Sequence, residues 1–252
     1  MSFEHGAFSL GEVGGGGPAV LCLHGLRGTP REVRPLGEAL MQRGFACLGP
    51  YLPGHGETPQ KLAATPYQAW TELGLQEYDR LREAHSRVYV LGFSMGGVVA
   101  LHLCQHREVP AAVVLAAPLR LQRHLEWLIP VVSRWLPFRR GPSDLRDPEA
   151  LANHQAYDVM PVLAVRQMLK MARLVHDKLA HIRTPLQLLY SRRARVVPLH
   201  NAELIRAGVE SSVCRLDYLD ESGHIMALDL ERTRVAQICC DFLTQEEQKR
   251  QD

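Results

Sequence analysis

Residues 87–104 read RVYVLGFSMGGVVALHLC, and this stretch decides the fold of the chain. Its first part, from Val88 to Leu91, is uniformly apolar, which predicts a strand that is buried on both faces. The apolar residues after Ser94 recur at helical spacing. A buried strand that turns directly into a helix is the repeating unit of mostly parallel sheets, so the stretch predicts an α/β fold.

The same alternation of strands and helices extends along the chain. The predicted strands cover residues 19–23, 45–49, 88–92, 112–116, 186–190 and 213–219. The first helix is predicted after Thr29, with Pro30 in its first turn and Glu32 completing a T-x-x-E capping box. The last helix is predicted from about residue 230 to 245.

Residues 119–180 interrupt this alternation, because no further strand is evident there. We interpret them as a helical insertion, or cap, that covers one end of the sheet. Residues 1–118 and 181–252 then form the core of a single large domain.

The composition excludes several classes of protein. The chain has 252 residues, of which 46% are hydrophobic and 22% charged, with a net charge of +2. It can bury a substantial core, and its charge predicts neither nucleic acid nor a membrane as partner. We see no secretory signal and no apolar run long enough to span a membrane. None of the six cysteines forms a CxxC pair, so free thiols and a cytoplasmic location are expected.

Residues 92–96 form a G-x-S-x-G pentapeptide between the predicted strand and helix. A tight turn there forces unusual backbone angles on Ser94 and exposes its hydroxyl at the carboxyl end of the sheet, which is typical of a nucleophile. The alternative is an ordinary glycine-rich turn.

A serine hydroxyl needs a base to take its proton. Of the twelve histidines, His224 is the best placed, because it follows the last strand and precedes the final helix. His102 and His106 have the spacing of a metal pair but lack the intervening Glu of HExxH, and we predict no metal and no cofactor. His55 is expected to shape a loop near the pocket.

The oxyanion of an acyl-transfer intermediate needs backbone donors. The loop after the strand at residues 19–23 would lie beside Ser94. The N–H groups of Leu26 and Met95 are therefore the predicted oxyanion donors, and His24 is expected to pack this loop.

Four ordered motifs now resemble a known family: LHGLRG at 23–28, PYLPGHGETP at 50–59, GFSMGG at 92–97 and ESGHIMALD at 221–229. Together they resemble the carboxylesterase and monoacylglycerol lipase group of α/β-hydrolases, over residues 20–243. The resemblance implies an eight-stranded, mostly parallel sheet with helices on both faces, a small helical cap and a Ser-Asp-His triad. It carries the nucleophile onto Ser94, the base onto His224 and the oxyanion donors onto Leu26 and Met95.

The resemblance also exposes an anomaly at Ala194. The family places its acid in the loop after the seventh strand, in a D-x-v-v-P frame, and here the frame reads ARVVP at residues 194–198. Three explanations stay open: a deliberate replacement of Asp, an acid supplied from elsewhere (Asp217, Asp220 or Glu221), or a degenerate enzyme retained for binding.

The predicted function is hydrolysis of carboxylic esters with short to medium acyl chains, or of monoacylglycerols, with activity impaired at Ala194. The apolar stretch at residues 127–138 would cover an acyl pocket. A local charge of +4 over residues 119–146 favours a solvated face but leaves open a thioesterase or acyltransferase acting on carrier-bound groups. A ligand-binding pseudoenzyme is the third alternative. The sequence indicates no oligomeric state.

Overall fold

The computed structural model describes residues 6–122, 128–129, 131, 133, 135–140, 143–154 and 156–251. Its strands are β1 Phe8–Leu10, β2 Gly16–Leu23, β3 Ala46–Gly49, β4 His85–Phe93, β5 Ala112–Leu115, β6 Phe138–Arg140, β7 Val159–Pro161, β8 Leu186–Ser191 and β9 Cys214–Leu219. Seven of them form one sheet in the order β1-β3-β2-β4-β5-β8-β9. Only β1 is antiparallel to its neighbour.

The α/β-hydrolase fold predicted from the sequence is confirmed, but the described residues contribute seven strands to the main sheet where eight were expected. The three-residue strand β1 pairs directly with β3 at the sheet edge. Residues 11–15, which follow it, contain three glycines and form only turns before β2. Such a short glycine-rich connection does not support another strand.

Eight α-helices lie in the described part of the chain. They are α1 Arg34–Met41, α2 Pro59–Ala64, α3 Tyr67–Ala84, α4 Met95–His106, α5 Pro148–Asn153, α6 Val162–His176, α7 His200–Gly208 and α8 Arg232–Gln248. Helices α1 and α8 pack against each other on one side of the sheet, and α3, α4 and α6 pack together on the other. The core strands between them are almost completely buried, as the apolar sequence of β4 and β5 predicts.

The capping box predicted at the first helix is wrong. Pro30–Glu32 form a single 3-10 turn, α1 begins only at Arg34, and the Thr29 side chain makes no capping hydrogen bond. Glu32 is buried instead, and its carboxylate accepts a hydrogen bond from the backbone N–H of Gly25 at 3.2 Å. A buried N–H without an acceptor is costly, so the loop at Gly25 takes the carboxylate that the local pattern assigns to the cap.

The segment between β5 and β8 contains α5 and α6, and also an antiparallel pair formed by β6 and β7 that was not predicted. Within its apolar stretch, Trp127, Pro130 and Val132 lie outside the described residues. Trp135 is 85% exposed, so this side chain does not pack onto the core.

Two further expectations can be compared with the described residues. All six cysteines are free, and five of them are buried. No described helix has both the length and the apolar character required to cross a membrane.

Candidate active site

Ser94 lies in a sharp turn between β4 and α4. Its backbone angles are φ 54° and ψ −117°, a conformation that residues other than glycine rarely adopt. A Cβ atom at Gly92 would lie 2.3 Å from the carbonyl oxygen of Gly96, and one at Gly96 would lie 2.2 Å from the carbonyl oxygen of Leu23. The two glycines of the pentapeptide are therefore required, because the turn brings backbone against backbone.

The structure brings His224 to Ser94, as the sequence predicts. Nε2 of His224 lies 3.0 Å from Oγ of Ser94. The histidine follows β9, and its own N–H donates to the carbonyl oxygen of Asp144 at 2.9 Å. Burial lowers the pKa of His224 to about 4. The ring is therefore neutral at pH 7, and Nε2 can accept the hydroxyl proton of Ser94.

The other ring nitrogen of His224, Nδ1, is buried and lacks a hydrogen bond to the residues that the structure describes. In serine hydrolases with a complete triad, a carboxylate accepts the proton on this nitrogen and stabilises the imidazolium that forms during the reaction. The buried Nδ1 thus lacks the contact that this chemistry uses.

Ala194 lies in the loop that the resemblance indicates. This loop follows β8 and is tied to the loop that carries His224, because Oγ of Ser191 donates to the carbonyl oxygen of Ser222 and Nε of Arg193 donates to that of Asp220. The two loops are therefore side by side, and the methyl group of Ala194 offers no acceptor to the histidine.

The acids proposed from the sequence as replacements do not bond to His224. Asp217 accepts a hydrogen bond from Nε2 of Gln187 at 2.9 Å. Asp220 is largely exposed and pairs with Nε of Arg192 at 3.1 Å. Glu221 is exposed as well.

A carboxylate that sequence reasoning missed shapes the loop around His224. Asp229 is completely buried and accepts hydrogen bonds from the backbone N–H groups of Gly223 at 2.6 Å and Asp147 at 2.7 Å. It fixes the loop before His224 to the start of α5. Asp229 belongs to the motif ESGHIMALD, so its position in that motif was the only signal available.

The two predicted donors come from different elements: Leu26 lies in the loop after β2, and Met95 is the first residue of α4, directly after Ser94. The N–H groups of Leu26 and Met95 have no acceptor among the described residues. Nε2 of His55 lies 2.6 Å from the carbonyl oxygen of Leu26, and Nε2 of His24 accepts the N–H of Leu52 at 3.1 Å. Burial lowers the pKa of both histidines, which keeps them neutral. His55 bonds the backbone of the loop after β2, and His24 ties this loop to the one after β3 through the N–H of Leu52, in agreement with the structural role predicted for His24.

A polar network that was not predicted from the sequence joins the loop after β2 to residues on both sides of α5. Oε1 of Glu32 lies 3.2 Å from Nε2 of His154, whose Nδ1 lies 2.5 Å from Oγ of Ser143. Arg27 donates to the same hydroxyl at 3.3 Å. Because Glu32 also accepts from Gly25, the network fixes the position of the loop relative to residues 143–154.

The comparisons with known proteins agree with this geometry. A family model described as serine aminopeptidase, S33 matches residues 17–231. The chain is 28% identical over 231 residues to a carboxylesterase of Bacillus subtilis (strain 168), covering 91% of this chain and 93% of that protein. It is 27% identical over 237 residues to a thermostable monoacylglycerol lipase of Bacillus sp. (strain H-257), covering 88% and 89%.

A solved structure reported with LipS and LipT, two metagenome-derived lipolytic enzymes, superposes with a TM-score of 0.88 at 27% identity, over 96% of this chain and 98% of that one. The similarity thus extends through the sheet and also through the segment between β5 and β8. The family match likewise spans most of the chain, from β2 to the residue before α8. The chain therefore belongs to the serine aminopeptidase S33 family of α/β-hydrolases and is a serine hydrolase of the esterase and lipase type.

Proposed function

We propose that this protein hydrolyses carboxylic esters through an acyl-enzyme on Ser94, with His224 as the general base. The observation that carries the proposal is the 3.0 Å contact between Oγ of Ser94 and Nε2 of His224 at a turn with a positive φ. Such a pair supplies both the nucleophile and the group that activates it.

The reaction follows from this contact. Oγ of Ser94 attacks the ester carbonyl while Nε2 of His224 takes the hydroxyl proton, and the N–H groups of Leu26 and Met95 stabilise the oxyanion. The intermediate collapses to the acyl-enzyme, and His224 returns the proton to the departing alcohol. In the second half of the reaction, His224 takes a proton from a water molecule, which attacks the acyl-enzyme. The carboxylic acid is released, and the proton returns to Oγ of Ser94.

Ala194 limits this reaction, because it stands where the family resemblance places the acid. In two well-studied serine proteases, disabling the triad acid lowers turnover on the order of 10⁴-fold while the remaining machinery still works. We therefore expect an active but slow hydrolase, in which imidazolium formation at His224 is the weak step.

The substrate class is supported by the relatives, one a carboxylesterase and the other a monoacylglycerol lipase. We propose esters of short to medium acyl chains or monoacylglycerols, with residues 119–180 acting as the cap over the acyl group. The family description names an aminopeptidase. Because an amide is a less reactive acyl donor than an ester, an impaired site favours esters.

The experiment that tests the proposal compares hydrolysis of p-nitrophenyl acetate, butyrate and octanoate by the wild type and by Ser94→Ala. A fluorophosphonate probe, which labels only activated serines, is applied to both proteins. We expect labelling and hydrolysis by the wild type and neither by Ser94→Ala. Labelling that persists in Ser94→Ala would refute the proposed nucleophile, and a wild type that neither labels nor hydrolyses would favour the binding pseudoenzyme.

One observation favours a second candidate, a thioesterase or acyltransferase that acts on carrier-bound acyl groups. Arg139 and Arg140 are exposed on β6, where they could meet an anionic carrier. Turnover of butyryl-coenzyme A is therefore compared with that of p-nitrophenyl butyrate. A kcat/KM that favours the thioester, and that falls in the double variant Arg139→Gln with Arg140→Gln, would replace the ester proposal by this second one.

A further inference from the structure

Two carboxylates, those of Asp144 and Glu32, act electrostatically on the ring of His224. Burial is the main cause of its low pKa, and the nearby Arg27 lowers it further. The two carboxylates act in the opposite direction, Asp144 first and Glu32 second. None of the acids proposed from the sequence is among them, which agrees with their pairing to other groups.

Both carboxylate oxygens of Glu32 contact other groups. Its Oε2 accepts from Gly25 at 3.2 Å, and its Oε1 lies 3.2 Å from Nε2 of His154. A carboxylate held by a backbone N–H and a buried imidazole is not free to reach Nδ1 of His224.

Asp144 lies between the loop that contains Ala194 and the loop that contains His224. One carboxylate oxygen, Oδ2, accepts the N–H of Arg195, the residue next to Ala194, at 2.8 Å. On the other side, Oδ1 would lie 3.2 Å from a Cβ placed on Gly223, the residue before His224. The backbone carbonyl of Asp144 accepts the N–H of His224 at 2.9 Å.

The surroundings keep the charge of Asp144 effective. Its side chain is 8% exposed, so water screens it weakly. The guanidinium of Arg195 lies 3.9 Å from Oδ1 but is itself 85% exposed, so it neutralises the carboxylate poorly. Oδ1 has no hydrogen-bond donor among the described residues, whereas Oδ2 is held by the N–H of Arg195.

We propose that Asp144 is the positioning acid of this protein, supplying to His224 from the segment before α5 the carboxylate charge that Ala194 cannot. The inference rests on the proposed roles of Ser94 and His224. Asp144 touches neither the substrate nor Ser94; it acts by stabilising the imidazolium and the Nδ1–H tautomer of His224. The part of the chain that forms the cap thus completes the site from outside the usual loop.

The test uses Asp144→Asn in the full chain. Asparagine keeps the oxygen that accepts from Arg195 and the backbone carbonyl that accepts from His224, and it replaces the negatively charged Oδ1 by a neutral amide NH2. We expect kcat for p-nitrophenyl butyrate to fall by about 10- to 100-fold, part of the roughly 10⁴-fold that a directly bonded acid contributes, while KM stays within about twofold. Asp220→Asn is the matched control, because it removes an exposed charge near the same loops, and it should leave kcat unchanged.

A second readout does not depend on turnover. The pKa of the His224 ring is followed by NMR in the wild type, in Asp144→Asn and in Asp220→Asn, with the resonance assigned by its loss in His224→Gln. We expect the pKa to fall only in Asp144→Asn. We also expect Ala194→Asp, added to Asp144→Asn, to restore kcat to at least the wild-type value.

The two proposals fail in different ways. If Asp144→Asn leaves both kcat and the pKa of His224 as in the wild type, the inference about Asp144 is overturned and the proposed function stands. If the wild type shows no hydrolysis that depends on Ser94, the proposed function fails. The NMR titration then still tests whether Asp144 acts on His224. A pKa of His224 that is lower in Asp144→Asn than in the wild type supports this influence, and an unchanged pKa overturns it.

Discussion

Replacing Ala194 by Asp should turn this protein into a much faster esterase. The magnitude follows from His224, whose pKa is held at about 4 by burial although the charge of Asp144 is already present. A carboxylate bonded to Nδ1 should return the pKa at least to the ordinary value of 6.5. That difference of two to three pKa units corresponds to about 3 kcal/mol of imidazolium stabilisation, or on the order of 10²- to 10³-fold in rate.

The assay is the steady-state hydrolysis of p-nitrophenyl butyrate by the wild type and Ala194→Asp, with Ser94→Ala as the blank. Ala194→Asn serves as the matched control, because it fills the same space without a charge. We expect kcat to rise by about two to three orders of magnitude in Ala194→Asp and by less than about tenfold in Ala194→Asn. KM should change little, because position 194 acts through His224 and not on the substrate.

The same reasoning predicts the direction in which the acidic limb of the pH profile of kcat/KM moves in Ala194→Asp. The base works only when His224 is neutral, so kcat/KM is lost as the pH falls through its pKa. For the wild type this acidic limb should lie near pH 4, where burial holds the pKa. In Ala194→Asp the limb should move up toward neutrality, so the wild type should retain a larger fraction of its maximal activity at pH 5 than the variant.

The reasoning would be refuted by a wild type that is already fast and that Ala194→Asp accelerates by less than about threefold. A limb that stays near the same pH in both proteins would refute it independently. Either result would mean that the imidazolium of His224 is already fully stabilised, and that Ala194 does not impair the site.

Two further predictions concern the scaffold that holds the site. Gly96→Ala should destabilise the protein by about 2 kcal/mol or more in urea unfolding, because its Cβ would meet the carbonyl oxygen of Leu23 at 2.2 Å. Gly17→Ala, where a Cβ meets nothing within 4 Å, should stay within about 1 kcal/mol, and equal losses would contradict the close approach at the turn. Glu32→Gln should cost about 1–3 kcal/mol and lower kcat, because the buried N–H of Gly25 loses a charged acceptor. Glu38→Gln removes only an exposed pair and should cost less than about 1 kcal/mol, and a similar loss in both variants would argue against the polar network at Glu32.

The sequence predicted well those parts of the molecule that depend on neighbours along the chain. The run before Ser94 is apolar because β4 is buried on both faces, and the flanking glycines are needed for the turn whatever the rest of the fold does. The helix after Ser94 follows from the same stretch and is observed as α4. His224 was predicted from its place between the last strand and the last helix, and the structure brings it to 3.0 Å from Ser94.

The sequence misled where a side chain has a distant partner that competes with a local one. Glu32 has the spacing of a capping residue, but the buried N–H of Gly25 and the ring of His154 take its carboxylate. A cap contributes on the order of 1 kcal/mol at an exposed helix end. Leaving a buried donor unpaired costs at least as much, and only the packing of the loop after β2 shows that such a donor exists.

The sequence by itself therefore determined the α/β fold, the turn at Ser94, the identity of His224 and the absence of a carboxylate at position 194. The tertiary structure alone decided which acid lies beside that histidine. Asp144 is 80 residues from His224 in the chain and belongs to a segment with no strand or helix of its own, so no periodicity or motif could place it. Its position results from hydrogen bonds to the N–H groups of Arg195 and His224, contacts that exist only after the two loops have packed against each other.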